Sequence, residues 1–181
     1  MTRAIMFDLE TMGKRPGCVI LSIGACVFDP HTDWIGDTLH IHIDSDESEL
    51  RGFKANMGTV RWWLTQDTEA RAALEAGQKN AVSPFAAIDG FCNFVSSAGN
   101  DPDVWCNGNS FDIPILAAYF GHFHLELPWN YWQERDLRTL KGINKGQRIE
   151  RTGTHHNALD DALHQARLVQ HIFAANPDMD A

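Results

Sequence analysis

The stretch from Ala4 to Met12 constrains the fold more than any other part of this chain. Its apolar residues occupy alternate positions, and the acidic residues Asp8 and Glu10 share the other register. That period of two predicts a buried β-strand with both carboxylates on one face. Two like charges so close together are unfavourable unless a proton or a cation lies between them, and hard divalent cations prefer oxygen ligands. The stretch therefore predicts either a metal site or simply the polar end of a strand that enters a turn at Met12-Gly13.

The length and composition of the chain indicate one globular domain. It has 181 residues, of which 44% are hydrophobic and 22% are charged, and these values are typical of a single soluble domain. We expect that domain to span residues 1–176 and a flexible tail to follow over residues 177–181. No apolar run approaches the ~18 residues that a membrane helix needs, and the first residues lead into the first strand without a targeting segment. The sequence therefore predicts a cytoplasmic protein with no membrane partner.

Charge is unevenly distributed along the chain. The net charge is −9 at pH 7, which argues against a non-specific nucleic-acid-binding protein with a broad basic face. However, six basic residues and only two acidic residues lie from Arg135 to Arg151. This part of the chain, which we call the basic segment, either binds a short anionic strand or forms a solvated loop.

The first strand begins an antiparallel meander. Turn residues after it are followed by two further alternating stretches, over 19–28 and 38–43, which predict the second and third strands. His40 and His42 share one face of the third strand, a spacing that also occurs in metal sites. Because no third ligand is evident nearby, we expect both to lie at a solvent-facing or edge position.

The chain then changes to helical patterns. Capping residues predict three helices, which cover 60–66 after Thr59, 68–76 after Asp67 and 84–99 after Ser83. The adjacent Trp62 and Trp63 project about 100° apart on a helix, so we expect one of them to be exposed. An exposed Trp would stack on a nucleobase or seal a dimer, and the alternative is that both pack at the margin of the core.

The second half of the chain alternates between strand and helix patterns. The predicted elements are a strand over 104–106, a helix over 115–120, a short strand within 128–134, a short helix over 136–140 and a final helix over 157–174. With the meander they predict an α/β fold, a mixed five-stranded sheet flanked by helices. If the strand over 104–106 is parallel to the first, Asp8, Glu10 and Asp112 meet at the carboxyl ends of neighbouring strands, where α/β sheets bind ligands. Taken alone, Asp112 would be explained as a helix N-cap.

A further acidic motif lies at the start of the final helix. His156 and Asp161 are five residues apart, so they converge only if His156 lies in the loop before the helix. That arrangement would set a mobile base beside a fixed ligand. The alternative is structural, because Asp160 and Asp161 would also complement the helix dipole.

Taken together, the motifs resemble those of the DEDDh family of 3′-5′ exonucleases. They are Asp8 and Glu10 in the first strand, Asn107 to Asp112 before a helix, and His156 with Asp161. The resemblance covers nearly the whole chain and implies an RNase H-like fold. Within the family, three segments are similar to the RNase AS or exodeoxyribonuclease VIII-like exoribonuclease branch, namely residues 7–13, 59–66 and 135–140.

The resemblance implies two Mg²⁺ or Mn²⁺ ions in the active site, held by four carboxylates. The implied ligands are Asp8, Glu10, Asp112 and Asp161, with Asp8 bridging the ions. His156 is the implied general base, which takes a proton from the attacking water. The spacing to Asp161 favours His156 over His155, and a helix would turn Asp160 about 100° away from Asp161.

The resemblance also implies the substrate, the 3′ end of single-stranded RNA or DNA, which would be cut to nucleoside 5′-monophosphates. The backbone at Glu10 and Thr11 would receive the terminal 3′-hydroxyl, Met12 would wedge against the last base, and the basic segment would contact upstream phosphates. The expected substrate-binding residues are Thr11, Met12, Trp63, Asn107 and Arg138. A homodimer is also implied, with the region of Trp62 and Trp63 at its interface.

The predicted function is therefore a metal-dependent 3′-5′ exonuclease, with RNA as the favoured substrate. Two alternatives remain open. RNA and DNA are distinguished by a contact to the 2′-hydroxyl, which no motif identifies, so an exodeoxyribonuclease or a broad oligonucleotide trimmer fits the same site. The alternative from another class is a catalytically idle nucleic-acid-binding subunit, which would bind strands without hydrolysing them.

Overall fold

The computed structural model describes residues 3–177, so the predicted tail lies, apart from Pro177, outside the described residues. The strands are β1 (Ala4–Thr11), β2 (Ile20–Phe28), β3 (Ile35–His42), β4 (Asp103–Cys106) and β5 (Glu134–Asp136). The helices are α1 (Ser45–Leu50), α2 (Met57–Leu64), α3 (Thr68–Gln78), α4 (Pro84–Ser97), α5 (Asp112–His122), α6 (Leu137–Ile143) and α7 (Ala158–Ala175). Within residues 3–177, none of the helices has the length and apolar character needed to cross a membrane.

The five strands form one mixed sheet in the order β3-β2-β1-β4-β5. Strand β2 is antiparallel to both β1 and β3, whereas β4 is parallel to β1 and β5 is parallel to β4. The predicted meander and the mixed five-stranded sheet are therefore confirmed. Because β1, β4 and β5 are parallel to one another, their carboxyl ends lie at the same edge of the sheet.

Helices cover both faces of this sheet. Side chains along β1 point alternately to the two faces of the sheet. One set, which includes Phe7, packs in a hydrophobic cluster with residues of α4 and α5. The other set, Met6 among them, packs with residues of α6 and α7. Full burial of each large apolar side chain contributes roughly 1.5–3 kcal/mol. Asp8 and Glu10 continue the register of Met6, so the two carboxylates lie on the face that α7 covers.

Helix α7 crosses β2 at Gly24, with backbone against backbone. A side chain at Gly24 would overlap the backbone of Ala158 and Leu159 in the first turn of α7. In the register between β1 and β2, Gly24 is the partner of Asp8. The missing side chain therefore allows the start of α7 to lie directly beside the acidic end of β1.

The start of α2 differs from the prediction. The helix begins at Met57 rather than at residue 60, because the side chain of Asn56 caps it and accepts a hydrogen bond from the amide of Gly58 at 2.8 Å. The predicted cap, Thr59, is instead buried inside the helix.

The short strand that is predicted within 128–134 lies further along the chain and overlaps that range only at Glu134. Residues Tyr131–Gln133 form a 3₁₀ turn, closed by the Gln133 side chain, which accepts a hydrogen bond from the Asn130 amide at 2.7 Å. Strand β5 begins only at Glu134. The following helix begins one residue later than predicted because Asp136 is its cap, and it continues to Ile143.

The histidine pair lies on the edge strand β3, as expected. The ring centroids of His40 and His42 are 4.3 Å apart, and Gly77 of α3 packs against the His42 ring. Both side chains are therefore half-buried rather than facing solvent. Burial lowers the pKa of His40 to about 4, so this pair is neutral at pH 7.

Candidate active site

A pocket of about 440 Å³ opens at the carboxyl end of β1. One wall is the acidic end of β1, the opposite wall is the first two turns of α7, and α2 closes the third side. The residues that line it include Asp8, Glu10, Trp62, Asn107, His156 and Asp161. The structure thus brings residues from all the predicted motifs to one place.

The two carboxylates of β1 lie in surroundings that disfavour their charge. Burial is the largest cause that raises the pKa of Asp8 well above its usual range, followed by the charges of Asp112, Glu10 and Asp161. Burial, with the charges of Asp161 and Asp112, likewise raises the pKa of Glu10 to about 8. Such a concentration of negative charge calls for a compensating proton or cation.

Asp112 begins helix α5 and is almost fully buried, with 4% of its surface exposed. Burial raises its pKa to about 7, although backbone hydrogen bonds and the nearby charge of Arg138 oppose that change. Asp112 is not among the residues that line the pocket. It is nevertheless close enough to β1 for its charge to raise the pKa values of both Asp8 and Glu10.

His156 lies in the turn before α7, where the convergence with Asp161 requires it to be. Its φ of 60° is in the left-handed region, a conformation that is strained for a residue other than glycine. Asn157 caps the helix directly after it. A ring nitrogen of His156 and carboxylate oxygens of Glu10 and Asp161 all lie within 4.8 Å of one another. The condition for the convergence of His156 and Asp161, a loop position of His156, is therefore met.

Asp160 and His155, the sequence neighbours of Asp161 and His156, do not face the pocket. Asp160 accepts a hydrogen bond from the amide of Thr154 at 2.8 Å, so it holds the preceding loop rather than facing the pocket. His155 is exposed. Neither residue is among those that line the pocket, which agrees with the choice of His156 and Asp161 from the sequence.

Two polar residues of the site were not predicted. Arg151 pairs with Asp161 at 2.7 Å between Nη1 and Oδ1, and its charge lowers the pKa of Glu10. The Gln165 side chain donates a hydrogen bond to Asp8 Oδ1 at 2.7 Å. The spacing of four residues from Asp161 to Gln165 is a signal that was available, because it puts both on one face of a helix. Arg151 was counted only as part of the basic segment.

The two tryptophans of α2 have different positions. Trp63 is buried with 4% of its surface exposed, and its Nε1 donates to the carbonyl oxygen of Thr11 at 3.0 Å. Trp62 is 41% exposed and lines the pocket. Its ring lies edge-on to His156, with 4.9 Å between the centroids. The expectation that one of the pair is exposed is confirmed, and Trp62 is the one that can meet a ligand.

The other predicted substrate-binding residues differ in their access to the pocket. Thr11 and Asn107 line it, and Asn107 Oδ1 accepts a hydrogen bond from Lys141 at 2.7 Å. Met12 packs against the hydrophobic core instead. The guanidinium of Arg138 lies against Gly108, outside the lining. The structure therefore brings Thr11 and Asn107 to the pocket, whereas Met12, Trp63 and Arg138 are not among the residues that line it.

The donor set fits a divalent cation. Carboxylate oxygens are the ligands that Mg²⁺ and Mn²⁺ prefer, and four carboxylates influence one another here. Gln165 Oε1 is also buried in this region without a hydrogen-bond partner among residues 3–177. A cation would offset the mutual repulsion of the carboxylates.

Comparisons with known proteins agree with this geometry. A family model described as the 3′-5′ exoribonuclease Rv2179c-like domain matches residues 3–173. An exodeoxyribonuclease of Enterobacteria phage T4 is 29% identical, over 74% of this chain and 68% of the relative.

Solved structures of nucleases share the fold. Exonuclease I of E. coli, in a complex with a dT13 oligonucleotide, superposes with a TM-score of 0.74 at 13% identity, over 98% of this chain and 42% of that chain. The cell-death related nuclease CRN-4 superposes with a TM-score of 0.68 at 11% identity, over 97% of this chain and 65% of that chain. The predicted RNase H-like fold is therefore confirmed, and the chain spans less than half the length of exonuclease I.

Proposed function

Because the chain belongs to the family of 3′-5′ exoribonuclease Rv2179c-like domains, we propose that it is a 3′-5′ exonuclease of single-stranded nucleic acid, with RNA as the favoured substrate. The observation that carries this proposal is the convergence of Glu10, His156 and Asp161 within 4.8 Å beside Asp8. Carboxylates and an imidazole so arranged suit hydrolysis of a phosphodiester.

The implied cofactor is Mg²⁺ or Mn²⁺, in two ions per site. Asp8, Glu10, Asp112 and Asp161 would hold them. When bound, such ions supply positive charge to the attacking water and to the leaving 3′-oxygen. The central position of Asp8, whose pKa responds to the charges of the other three carboxylates, supports its role as the shared ligand.

His156 would act on the attacking water. One of its ring nitrogens faces the carboxylates of Glu10 and Asp161, so it can take a proton at that nitrogen as the water attacks phosphorus. The contacts with Trp62 and Trp63 orient the imidazole ring. General bases of this kind contribute about 10²- to 10⁴-fold to the rate.

The walls of the pocket favour a single-stranded 3′ end. The exposed ring of Trp62 can stack on the terminal base, which must first leave its own stack. Asn107 and the backbone at Thr11, which also line the pocket, offer polar contacts to the same nucleotide. We propose these groups as the binding site of the terminal nucleotide, which leaves as a 5′-monophosphate.

The experiment follows hydrolysis of 5′-labelled and 3′-labelled RNA and DNA oligomers of matched sequence, with Mg²⁺, Mn²⁺ or EDTA. We expect metal-dependent release of mononucleotides from the 3′ end. His156→Ala should lower kcat about 10²-fold or more and leave KM nearly unchanged, whereas His155→Ala, the matched control, should behave as the wild type. Equal effects of the two substitutions would contradict the assignment of His156.

A second candidate is an exodeoxyribonuclease with the same site. It is favoured by the phage T4 relative, which is named an exodeoxyribonuclease, while the family description favours RNA. The rates of hydrolysis of the matched RNA and DNA oligomers show which of the two substrates is preferred. Binding of both without hydrolysis in either metal would instead favour an idle nucleic-acid-binding subunit.

Location and assembly are further proposals. We propose that the chain acts in the cytoplasm. We also propose that it forms a homodimer through α2, where two apolar side chains are largely exposed, Met57 with 63% and Leu64 with 66% of its surface. Sedimentation at micromolar concentration tests the assembly, and a monomeric mass would contradict it.

A further inference from the structure

A second groove, of about 540 Å³, adjoins the active-site pocket. The two cavities share Gly13, Lys14 and Thr59 in their linings, so they lie next to each other. Lys14, Arg15 and Lys54 line the second groove, and all three side chains are exposed. We call this feature the basic groove.

Backbone pairing fixes the position of these cations. The turn after β1 carries Lys14 and Arg15, and Lys54 lies beside it in an extended segment. The amide of Lys54 donates to the carbonyl oxygen of Gly17 at 2.9 Å, and its own carbonyl oxygen accepts from Val19 at 3.2 Å. Lys54 is thereby held beside Lys14 and Arg15, which are distant from it in sequence, so the order of charges along the chain does not indicate the groove.

The charge of the basic groove is not neutralised by the protein. None of the residues that line it is acidic, and none of its three cations forms an ion pair within residues 3–177. In a chain with a net charge of −9, a continuous groove with three unpaired cations is a local attraction for anions.

The basic segment is less available than its composition indicates. Arg135 pairs with Asp103 at 2.9 Å, and Arg151 pairs with Asp161 at 2.7 Å. Lys141 donates to Asn107 at 2.7 Å. Three of its six cations are therefore engaged inside the molecule, and the expected contact with upstream phosphates has a better candidate in the basic groove.

We propose that the basic groove binds the backbone phosphates of the substrate strand immediately upstream of the scissile bond. This inference rests on the proposed function, because a strand whose 3′ end fills the pocket must leave it along an adjoining surface, and Lys14 lies where the two cavities meet. No aromatic side chain lines the groove, so it binds phosphates and offers no ring on which a base could stack. Binding there is independent of base sequence and the same for RNA and DNA.

The test compares two double variants that remove equal charge. Lys14→Gln/Lys54→Gln alters the basic groove, and Lys145→Gln/Arg148→Gln alters the basic segment. Fluorescence anisotropy of a 5′-labelled RNA 12-mer in EDTA, at several salt concentrations, measures binding without turnover. With metal, kcat/KM is measured for the 12-mer and for a dinucleotide, which has no upstream phosphate.

We expect the groove variant to bind the 12-mer about tenfold more weakly and to flatten the slope of log K against log salt by about 1.4, as loss of two phosphate contacts to a single strand predicts. Its kcat/KM for the dinucleotide should stay within about threefold of the wild type. Equal binding by the two double variants, or an equal loss on dinucleotide and 12-mer, would overturn the proposal. Absence of hydrolysis by the wild type would refute the proposed function and leave the anisotropy result to decide on the groove.

Discussion

At the scale of single residues, the main unfavourable interaction in the site is the repulsion between its buried carboxylates. Asp8 and Glu10 are forced together by the period of β1, and Asp112 and Asp161 add their charges from two helices. Gln165 and Arg151 offset part of this cost by a hydrogen bond and an ion pair. The residue that benefits most from a cation is Asp8, because all the other carboxylates act on it.

Protonation of Glu10 makes the stability of the metal-free protein depend on pH. The pKa of Glu10 rises from 4.5 to about 8 on folding, so between these values the folded protein holds a proton that the unfolded chain has released. The contribution of that proton to the free energy of unfolding is therefore fully present below pH 4.5, the pKa of Glu10 in the unfolded chain. It is lost as the pH rises through about 8, the pKa of Glu10 in the folded protein.

We therefore expect the free energy of unfolding in EDTA to fall from about pH 6.5 to about pH 8.5. Urea unfolding at these two pH values measures it, and Glu10→Gln should show a smaller fall. The interval lies above the range in which the lowered pKa of His40 has the opposite effect. A wild-type stability that rises with pH, or an equal fall in the variant, would be evidence against a buried, protonated Glu10.

Arg151 competes with a cation for Asp161. Its guanidinium lies 2.7 Å from Asp161 Oδ1 in a partly buried pair, so an incoming cation meets a positive charge at one of its ligands. We expect Arg151→Gln to bind Mn²⁺ about three- to tenfold more tightly by titration calorimetry. Arg148→Gln, the control, should bind as the wild type does. Weaker binding by Arg151→Gln would mean that the arginine supports the metal site.

At the scale of elements, the site depends on how closely α7 approaches the sheet. Gly24 of β2 lies under the backbone of Ala158 and Leu159, and any side chain there must push the start of α7 away from β1. His156 and Asp161 would move with it. Rates fall steeply with displacements of about 1 Å in an active site.

We expect Gly24→Ala to lower kcat/KM about 10²-fold or more and to destabilise the fold by about 1–3 kcal/mol. Oligomer hydrolysis and thermal unfolding measure the two effects. Gly121→Ala is the matched control, because a Cβ at Gly121 meets open space. Wild-type activity in Gly24→Ala would show that the helix position is not critical.

The elements were predictable wherever a local signal decided them. Strand β1 follows from its alternation, and α3 and α4 follow from their caps, Asp67 and Ser83. The start of α2 was not predictable in the same way, because Asn56 and Thr59 are both good capping residues and only the folded backbone selects between them. Similarly, Trp62 and Trp63 have the same local signal, and the core decides which of them is buried.

At the scale of the whole molecule, the predicted motifs converge because parallel strands bring their carboxyl ends to one edge of the sheet. The sequence could therefore indicate the pocket but not its surroundings. The basic groove and the Arg151 ion pair depend on contacts between distant segments, which no spacing reveals. We expect the basic groove, which lies beside the acidic pocket, to attract the anionic strand.

The most direct test of the account uses the adjacent acids at the start of α7. Asp161 lines the pocket and Asp160 holds the Thr154 amide outside it. In Mg²⁺ or Mn²⁺, with a 5′-labelled single-stranded RNA, we predict that Asp161→Asn loses about 10²-fold or more of kcat/KM, because asparagine keeps the volume of the side chain but lacks the carboxylate that would bind the metal. Asp160→Asn, which retains an acceptor for the amide, should remain within about threefold of the wild type. Full activity in Asp161→Asn, or equal loss in both variants, would contradict the assignment of this pocket as the active site.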